Sequence, residues 1–274
     1  MSVSVLILTL NEEINISACL ESVAWSDDVV VFDSFSTDRT VEIAKAKGAR
    51  VEQRRFDDWS SHQNWAVTHI AFKHPLVLYF DADERCGADL ALEIQDRARP
   101  ESTFSAFRIR RKDYFRGTWL KRAQLYPTWL VRLFRPDKIR YERLVNPVAV
   151  VEGEIGSLEG HIDHYPFSHG LGHWIARHNR YSDMEAKEWI KSREGFPFSA
   201  SDVLSRDPNT RRKALKELFY RMPARPVVKF LYYYIARRGF LDGGAGFTYS
   251  ALQAIYEYMI VLKVDELYRS ETGD

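Results

Sequence analysis

The chain has 274 residues, 45% hydrophobic and 28% charged, with a net charge of +1. That size and balance describe a globular protein with one sizeable domain, or a domain and an appendage, and the near-neutral total excludes a broadly cationic nucleic-acid binder. Two cysteines, Cys19 and Cys86, make no disulfide framework and suit a reducing cytoplasm.

The N-terminal run VSVLILTL (3–10) lacks a basic flank and a cleavage site and is too short to span a bilayer. It reads as a buried strand and not a signal peptide, and no later apolar run is long enough to cross a membrane. NEEINISACLESV follows as a helix capped by Asn11, and DVVVFD (28–33) as a second strand. STDRTVEIAKAKG predicts a second helix, capped near Ser36 or Asp38 and closed by Gly48. ARVEQRRF is a third strand, SSHQNWAVTHIAF a third helix, PLVLYFD a fourth strand, and ADLALEIQDRAR a fourth helix stopped by Pro100. Such alternation predicts an α/β fold with a parallel sheet covered on both faces.

Beyond Pro100, FSAFRIRRKDYF and TWLVRLFRPD alternate apolar and polar residues, as half-buried antiparallel strands do, and IGSLEGHIDHYPF extends the pattern. A long helix is predicted through HWIARHNRYSDMEAKEWIKSREG. Between Arg206 and Arg238 ten Lys/Arg stand against two Asp/Glu, a local excess of +8. Within it Val227, Phe230, Leu231, Tyr234 and Ile235 fall on one helical stripe, and FTYSALQAIYEYMIVLKV follows as a second apolar helix. Two readings stay open: helices packed with a solvated basic face, or an interfacial anchor whose Lys/Arg meet anionic lipid.

In an open α/β sheet ligands bind beyond the carboxyl ends of the strands. There the sequence puts Thr9, Asn11 and Glu12, then Asp33, Ser34, Ser36 and Asp38, then Asp81, Asp83 and Glu84. No GxGxxG and no GxxxxGK[ST] occurs, so backbone amides alone do not cradle a phosphate. An acid-rich, glycine-poor edge can hold a diphosphate through Mg²⁺ or Mn²⁺ shared between carboxylate and phosphate oxygens. A bare DxD is equally a helix cap; its position after the fourth strand, with a second acidic group after the second, favours the metal. Five histidines (161, 164, 169, 173 and 178) crowd one stretch, but their spacing does not support zinc, since His161 and His164 face opposite sides of a strand.

VLILTLNEE, VVVFDSFSTDRT, HQNWAV and VLYFDADER, in this order and spacing, resemble family 2 glycosyltransferases of the GT-A fold. RLFR, YERLV, LEGHIDHYPF, RYSDMEA and FLYYYIARRGFLDGGAGF resemble the subgroup that builds lipopolysaccharide cores and other lipid-linked glycans, and the likeness covers nearly the whole chain. The resemblance implies a GT-A catalytic domain over 1–170, with a nucleotide-binding half (1–100) and an acceptor half (101–170), and a helical region over 171–274 as a possible membrane-association element. It implies that Thr9, Asn11 and Glu12 line the nucleotide pocket, with Asp33 near base or ribose, Asp38 in the adjoining turn and Asn64 beside the donor. Asp81 and Asp83 match the metal and diphosphate motif, Arg85 its basic neighbour, and His164 a further metal ligand, while Arg132 contacts phosphate.

The reaction so implied is inverting transfer from a nucleotide-diphosphate sugar, UDP-linked first among the choices, to a hydroxyl of a lipopolysaccharide-core or lipid-linked acceptor. Glu142 is the leading candidate for the base that takes the acceptor proton and Asp113 the reserve. The expected setting is cytoplasmic, peripheral on the inner membrane face. Two departures leave the donor open: Asp33-Ser34-Phe35 after the second strand, and His62-Gln63 before Asn64. A nucleotidyltransferase, a DxD phosphatase and a non-catalytic carbohydrate- or membrane-binding module are the alternatives. The first would carry a glycine-rich loop and lysine after the first strand, where this chain has TLNEEIN.

Overall fold

The computed structural model describes residues 3–97, 102–142, 147–195, 200–205 and 224–272, with isolated positions between 207 and 222. Two compact units make up the chain, the first from residues 1–119 and 126–169, the second from 120–125 and 170–274.

The first unit is organised by β1 (Val3–Thr9), buried at all seven positions. Its side chains alternate between two cores: Val3, Val5 and Ile7 enter one, Leu6 and Leu8 the other. β2 (Val29–Asp33) and β4 (Leu76–Asp81) divide in the same way, so a period of two becomes an unbroken apolar run when both faces are covered. Helices α1 (Ile16–Ser22), α2 (Thr40–Ala46) and α4 (Ala88–Arg97) supply the first core through Ile16, Cys19, Ala44, Leu90 and Ile94. α3 (Trp59–His69) supplies the second through Ala66 and Val67. Pro100, expected to stop α4, lies outside the described residues.

The sheet runs β3-β2-β1-β4-β8-β6-β11-β5, where β3 is Arg50–Gln53, β5 Glu84–Cys86, β6 Ala106–Phe115, β8 Thr128–Phe134 and β11 Ile155–His164. The first four strands are parallel, and the chain leaves β1 for β2 on one side and returns to β4 on the other. A crevice therefore opens at the carboxyl ends of β1 and β4, the switch point where such sheets bind ligands. β8 is antiparallel to β4 and β6, as the alternating pattern predicts, but β11 lies parallel to β6. β7 (Thr118–Trp119) closes a hairpin with β6, and β9 (Ile139–Glu142) pairs with β10 (Val148–Val151) in a separate ribbon.

Two local features depart from the sequence reading. Asn11 does not cap α1: it takes a left-handed φ of 56°, and its carboxamide oxygen accepts the Thr37 N–H at 2.8 Å, so the helix begins at Ile16. The three residues of β5, too few to show a period, pair antiparallel with the end of β11 and bring His164 opposite Glu84. β11 is irregular between Ser157 and His161. There the Glu93 carboxylate accepts the N–H groups of Glu159 and Gly160 at 2.9 and 2.8 Å, and Gly160 approaches Leu90 so closely that a Cβ would meet it at 2.8 Å.

The second unit is helical, with α5 (Gly170–Gly195), α6 (Arg225–Leu231), a π turn (Tyr232–Ala236) and α7 (Gly243–Thr272). Trp189 and Ala186 of α5 pack on Ile260 and Val264 of α7, and buried Glu257 of α7 accepts from Lys229 at 2.9 Å and from Arg225. Residues Leu120–Leu125, assigned by sequence to the first unit, belong here: the Asp242 carboxylate accepts the N–H groups of Arg122 and Ala123, both at 2.8 Å. In GFLDGGAGF two glycines are required by close approach. A Cβ on Gly239 would lie 2.6 Å from the Tyr233 carbonyl oxygen, and one on Gly246 2.0 Å from that of Gly239. Arg206, Arg212, Lys213, Lys216 and Arg221 of the basic stretch lie outside the described residues.

Candidate active site

β4 ends at Asp81 and the chain turns through Ala82 and Asp83 into β5. Asp113 at the end of β6 is the register partner of His164 in β11, and His164 that of Glu84 in β5. Strand register thus gathers three groups remote in sequence, Glu84, Asp113 and His164, at one edge beside Asp83. The His164 Nδ1–H donates to Asp113 Oδ1 at 2.5 Å, and its Nε2 faces Asp83 Oδ2 at 3.4 Å. Burial disfavours charge on His164, but Asp83 and the hydrogen bond to Asp113 outweigh it and raise the imidazole to about 9. Arg111 Nε also reaches Asp113 Oδ1, at 3.1 Å.

The first aspartate of the DxD does something else. Asp81 Oδ1 accepts from the Tyr79 hydroxyl at 2.7 Å and Oδ2 from Arg132 at 2.8 Å, so its oxygens turn toward the sheet and not toward the Asp83–His164 pair. Arg132, only 5% exposed, also donates to Glu84 at 2.8 Å and covers the Tyr79 ring at 4.2 Å. Glu84 is fully buried; desolvation pushes its carboxyl up and Arg132 opposes that most strongly. Arg132 therefore fixes the turn through two carboxylates, a structural task beside the phosphate contact expected of it. Tyr79 is a brace the sequence reading missed, and Glu84, placed at this edge by sequence, takes no role of its own in that reading. The only signal for Glu84 was a third acid next to the DxD.

At the end of β1, Thr9 Oγ1 donates to Asp33 Oδ1 at 3.0 Å. Asp33, wholly buried, also accepts from the Ser36 N–H at 2.9 Å, from the Ser36 hydroxyl and from Gln53 at 2.9 Å. Asp38 accepts the N–H groups of Thr40 and Glu13 at 3.0 and 3.1 Å, tying the β1 and β2 loops together. Glu12 points the other way: it accepts from Asn15 at 2.7 Å and meets His169 Nε2 at 3.0 Å, and burial raises its carboxyl, with Asp83 adding repulsion. Arg85 donates to the Ala82 and Glu84 carbonyls, each at 2.7 Å, holding the DxD turn from its far side.

Two expected site residues, Asn64 and Glu142, are not gathered here, and a third, Asp113, is present in a different role. The Asn64 carboxamide is spent on backbone, donating to the Tyr141 carbonyl at 2.9 Å and accepting the Tyr141 N–H at 2.8 Å. It clamps β9 to α3, with one N–H and one lone pair of the carboxamide engaged there. Asn64→Ala is expected to cost about 1–3 kcal/mol, since both backbone groups lose a partner, while leaving the donor KM unchanged; urea unfolding and donor titration measure the two. Glu142, next to buried Tyr141, points outward and pairs with Arg140 at 3.0 Å. Asp113 is buried and held by His164 and Arg111, so it is not free to accept a proton from an acceptor. Residues 143–145 of YERLV lie outside the described residues.

Among the described residues no group of three or more His, Cys, Asp or Glu side chains converges as a complete metal cage. Asp83 and His164 do fit a divalent cation that completes its shell with ligand oxygens, the usual habit of Mg²⁺ beside a diphosphate. The Asp113 carboxylate behind the imidazole is the support that orients a ligating histidine.

The model of the family described as Glycosyl transferase family 2 matches residues 4–156. The chain belongs to that family. Glycosyltransferase RT0209 of Rickettsia typhi is 26% identical, over 97% of this chain and 87% of the relative. LpsC of Rhizobium meliloti, a lipopolysaccharide core biosynthesis glycosyltransferase, is 22% identical, over 96% of this chain and 92% of its own. Among solved structures, glucosyl-3-phosphoglycerate synthase from Mycobacterium tuberculosis, in complex with Mn²⁺, UDP and glucosyl-3-phosphoglycerate, is similar at 21% identity and a TM-score of 0.34, over 45% of this chain and 47% of that one. Mannosyl-3-phosphoglycerate synthase from Rubrobacter xylanophilus gives 19% and 0.35, over 41% of each chain. This chain thus spans less than half of either structure. The family 2 enzyme is a glycosyltransferase, and its mixed sheet followed by helices is the GT-A fold. His164 lies beyond the matched residues.

Proposed function

We propose that the enzyme moves a sugar, with inversion, from a nucleoside-diphosphate donor to a hydroxyl of a lipid-linked or lipopolysaccharide-core acceptor. One observation carries this: Asp83 and His164, from different strands, face each other at 3.4 Å beside the switch point, with Asp113 fixing the imidazole. Asp83 and His164 would hold Mg²⁺ or Mn²⁺, which when bound supplies positive charge against the departing diphosphate. Thr9, Asn11, Asp33 and Asp38 frame the nucleotide side of the crevice, with Glu12 turned from them toward Asn15 and His169. Asp81 and Arg132 keep the turn in place, and Arg85 holds it from below. Thermal stabilisation by UDP, compared with GDP and TDP and with and without Mn²⁺, tests the reading. No shift with any nucleotide would overturn it.

Glu142 is proposed as the base. Supporting it is the state of the other candidate, Asp113, locked in burial, whereas Glu142 is more than half exposed and held by a single arginine. Glu142→Gln is expected to lower kcat by about 10²–10⁴-fold with the UDP-induced thermal shift retained. Near-normal turnover would remove Glu142 from the role.

The helical unit is proposed to rest on an anionic bilayer. Among the described residues no helix is long and apolar enough to cross a membrane. On α6 and its π turn, however, Val227, Leu231 and Ile235 are each at least 50% exposed, one helical turn apart, with Arg237 and Arg238 exposed just beyond. An outward apolar ridge ending in basic residues suits the headgroup boundary. Leu231→Asp with Ile235→Asp is expected to weaken co-sedimentation with phosphatidylglycerol vesicles at least about ten-fold, as burial of two aliphatic side chains is lost. Equal binding by variant and parent would refute the contact.

A further inference from the structure

An open cleft of about 420 Å³ lies beside the Asp83–His164 pair, lined by Asn15, Arg85, Tyr114, Arg116, Tyr165 and Phe167, with Gly117 and Ser168. It adjoins the proposed active site through the main chain, since the Tyr165 N–H donates to the Asp83 carbonyl at 2.9 Å. Two features of its walls call for a ligand.

The first is aromatic. The rings of Tyr114 and Tyr165 lie nearly parallel, 19° apart with centroids 5.2 Å apart, and Phe115 and Phe167 meet edge to face behind them. Stacked on each other, the two rings form a rigid aromatic block whose outward face and edge can take the apolar face of a sugar ring.

The second is charge. The eight lining residues include two arginines and no acid. Arg85 has its guanidinium anchored by two carbonyl groups, sits 5.7 Å from the Tyr165 ring, and has only a 3.5 Å contact to Asn15 Oδ1 on its second nitrogen. No carboxylate among the described residues pairs with it or with Arg116. Of the nearby acids, Asp163 lies 3.5 Å from His161 and adds to burial in raising the Tyr114 hydroxyl, and Glu12 is held by Asn15 and His169. Arg116 is also costly where it stands. Arg116 and Gly117 form the two-residue turn between β6 and β7 with φ of 48° and 79°, a turn that favours Asn or Gly at its first place. A long cationic side chain is kept there although the backbone disfavours it.

We infer that this cleft binds a sugar unit carrying a carboxylate or phosphate, its ring on Tyr114 and Tyr165 and its oxyanion between Arg85 and Arg116. Guanidinium groups match both oxyanions with paired N–H donors. On the reading given above this unit belongs to the acceptor, so the enzyme selects an anionic glycan over a neutral one.

Titration calorimetry on the full chain without nucleotide tests this with glucose 6-phosphate, methyl glucuronide, methyl glucoside and inorganic phosphate. Either charged sugar is expected to bind at least ten-fold more tightly than methyl glucoside, and glucose 6-phosphate more tightly than phosphate alone. Arg116→Gly suits the turn and preserves the fold, so it should cut binding of the charged sugar about ten-fold while the UDP–Mn²⁺ thermal shift stays as in the parent. Equal binding of charged and neutral sugars overturns the inference, as does unchanged binding by Arg116→Gly. Charged-sugar binding without any nucleotide response would keep the cleft as a sugar site and remove only its acceptor role.

Discussion

Asp83→Ala is expected to abolish sugar transfer and, with it, the part of nucleotide binding that depends on a divalent cation. Asp83 faces His164 and adds to the field at Glu12, while its backbone carbonyl holds Tyr165 regardless of side chain. The fold should therefore survive. Loss of one of two protein ligands to a cation that neutralises a leaving diphosphate is worth on the order of 10³-fold in kcat/KM, or about 4 kcal/mol. His164→Ala should share the phenotype, and Asp113→Asn should fall between these variants and the parent, because it leaves the imidazole present but less firmly oriented. Differential scanning fluorimetry with UDP and a Mn²⁺ series, beside donor hydrolysis, would read all three. A full Mn²⁺-dependent UDP shift in Asp83→Ala would remove the aspartate from the proposed site.

Arg132→Leu is expected to damage stability more than any other single substitution at this edge. The guanidinium is buried between Asp81 and Glu84, and the other cations near Glu84, His164 and Arg111 at 3.9 Å, act on it more weakly. Removing it strands a carboxylate with no exposed surface, a loss of about 3–5 kcal/mol. Urea unfolding should show a lower midpoint with an unchanged slope. The double variant Arg132→Leu/Glu84→Leu should recover part of the loss, because the unpaired buried charge goes with its partner. A midpoint equal to the parent's would show that the triad is stabilised from elsewhere.

Much of the first unit was legible in the sequence because its physics is local. Runs such as VLILT and LVLYFD can only be strands covered on both faces, and Gly48 at φ 82° ends its helix as expected. The DxD stood out because three carboxylates follow a buried strand. What escaped was long-range. Nothing near Asn64 announces that its carboxamide will clasp a backbone seventy-seven positions away, and a three-residue strand such as β5 has no period to read. The two aspartates of the DxD look alike in sequence. Only the arrival of Arg132 from β8 and His164 from β11 separates the one that braces the sheet from the one that faces the imidazole.

The irregularity in β11 makes a helix without chemistry of its own the custodian of that distinction. Side chains along a strand alternate, so a slip by a single residue would offer Asp163 or Tyr165 where the imidazole now stands. Glu93, gripping two successive amides, and Leu90, pressed on a bare glycine, pin the phase of everything downstream. If His164 serves as proposed, adding or deleting one residue between 157 and 161 would thus disarm the enzyme as surely as losing the histidine itself.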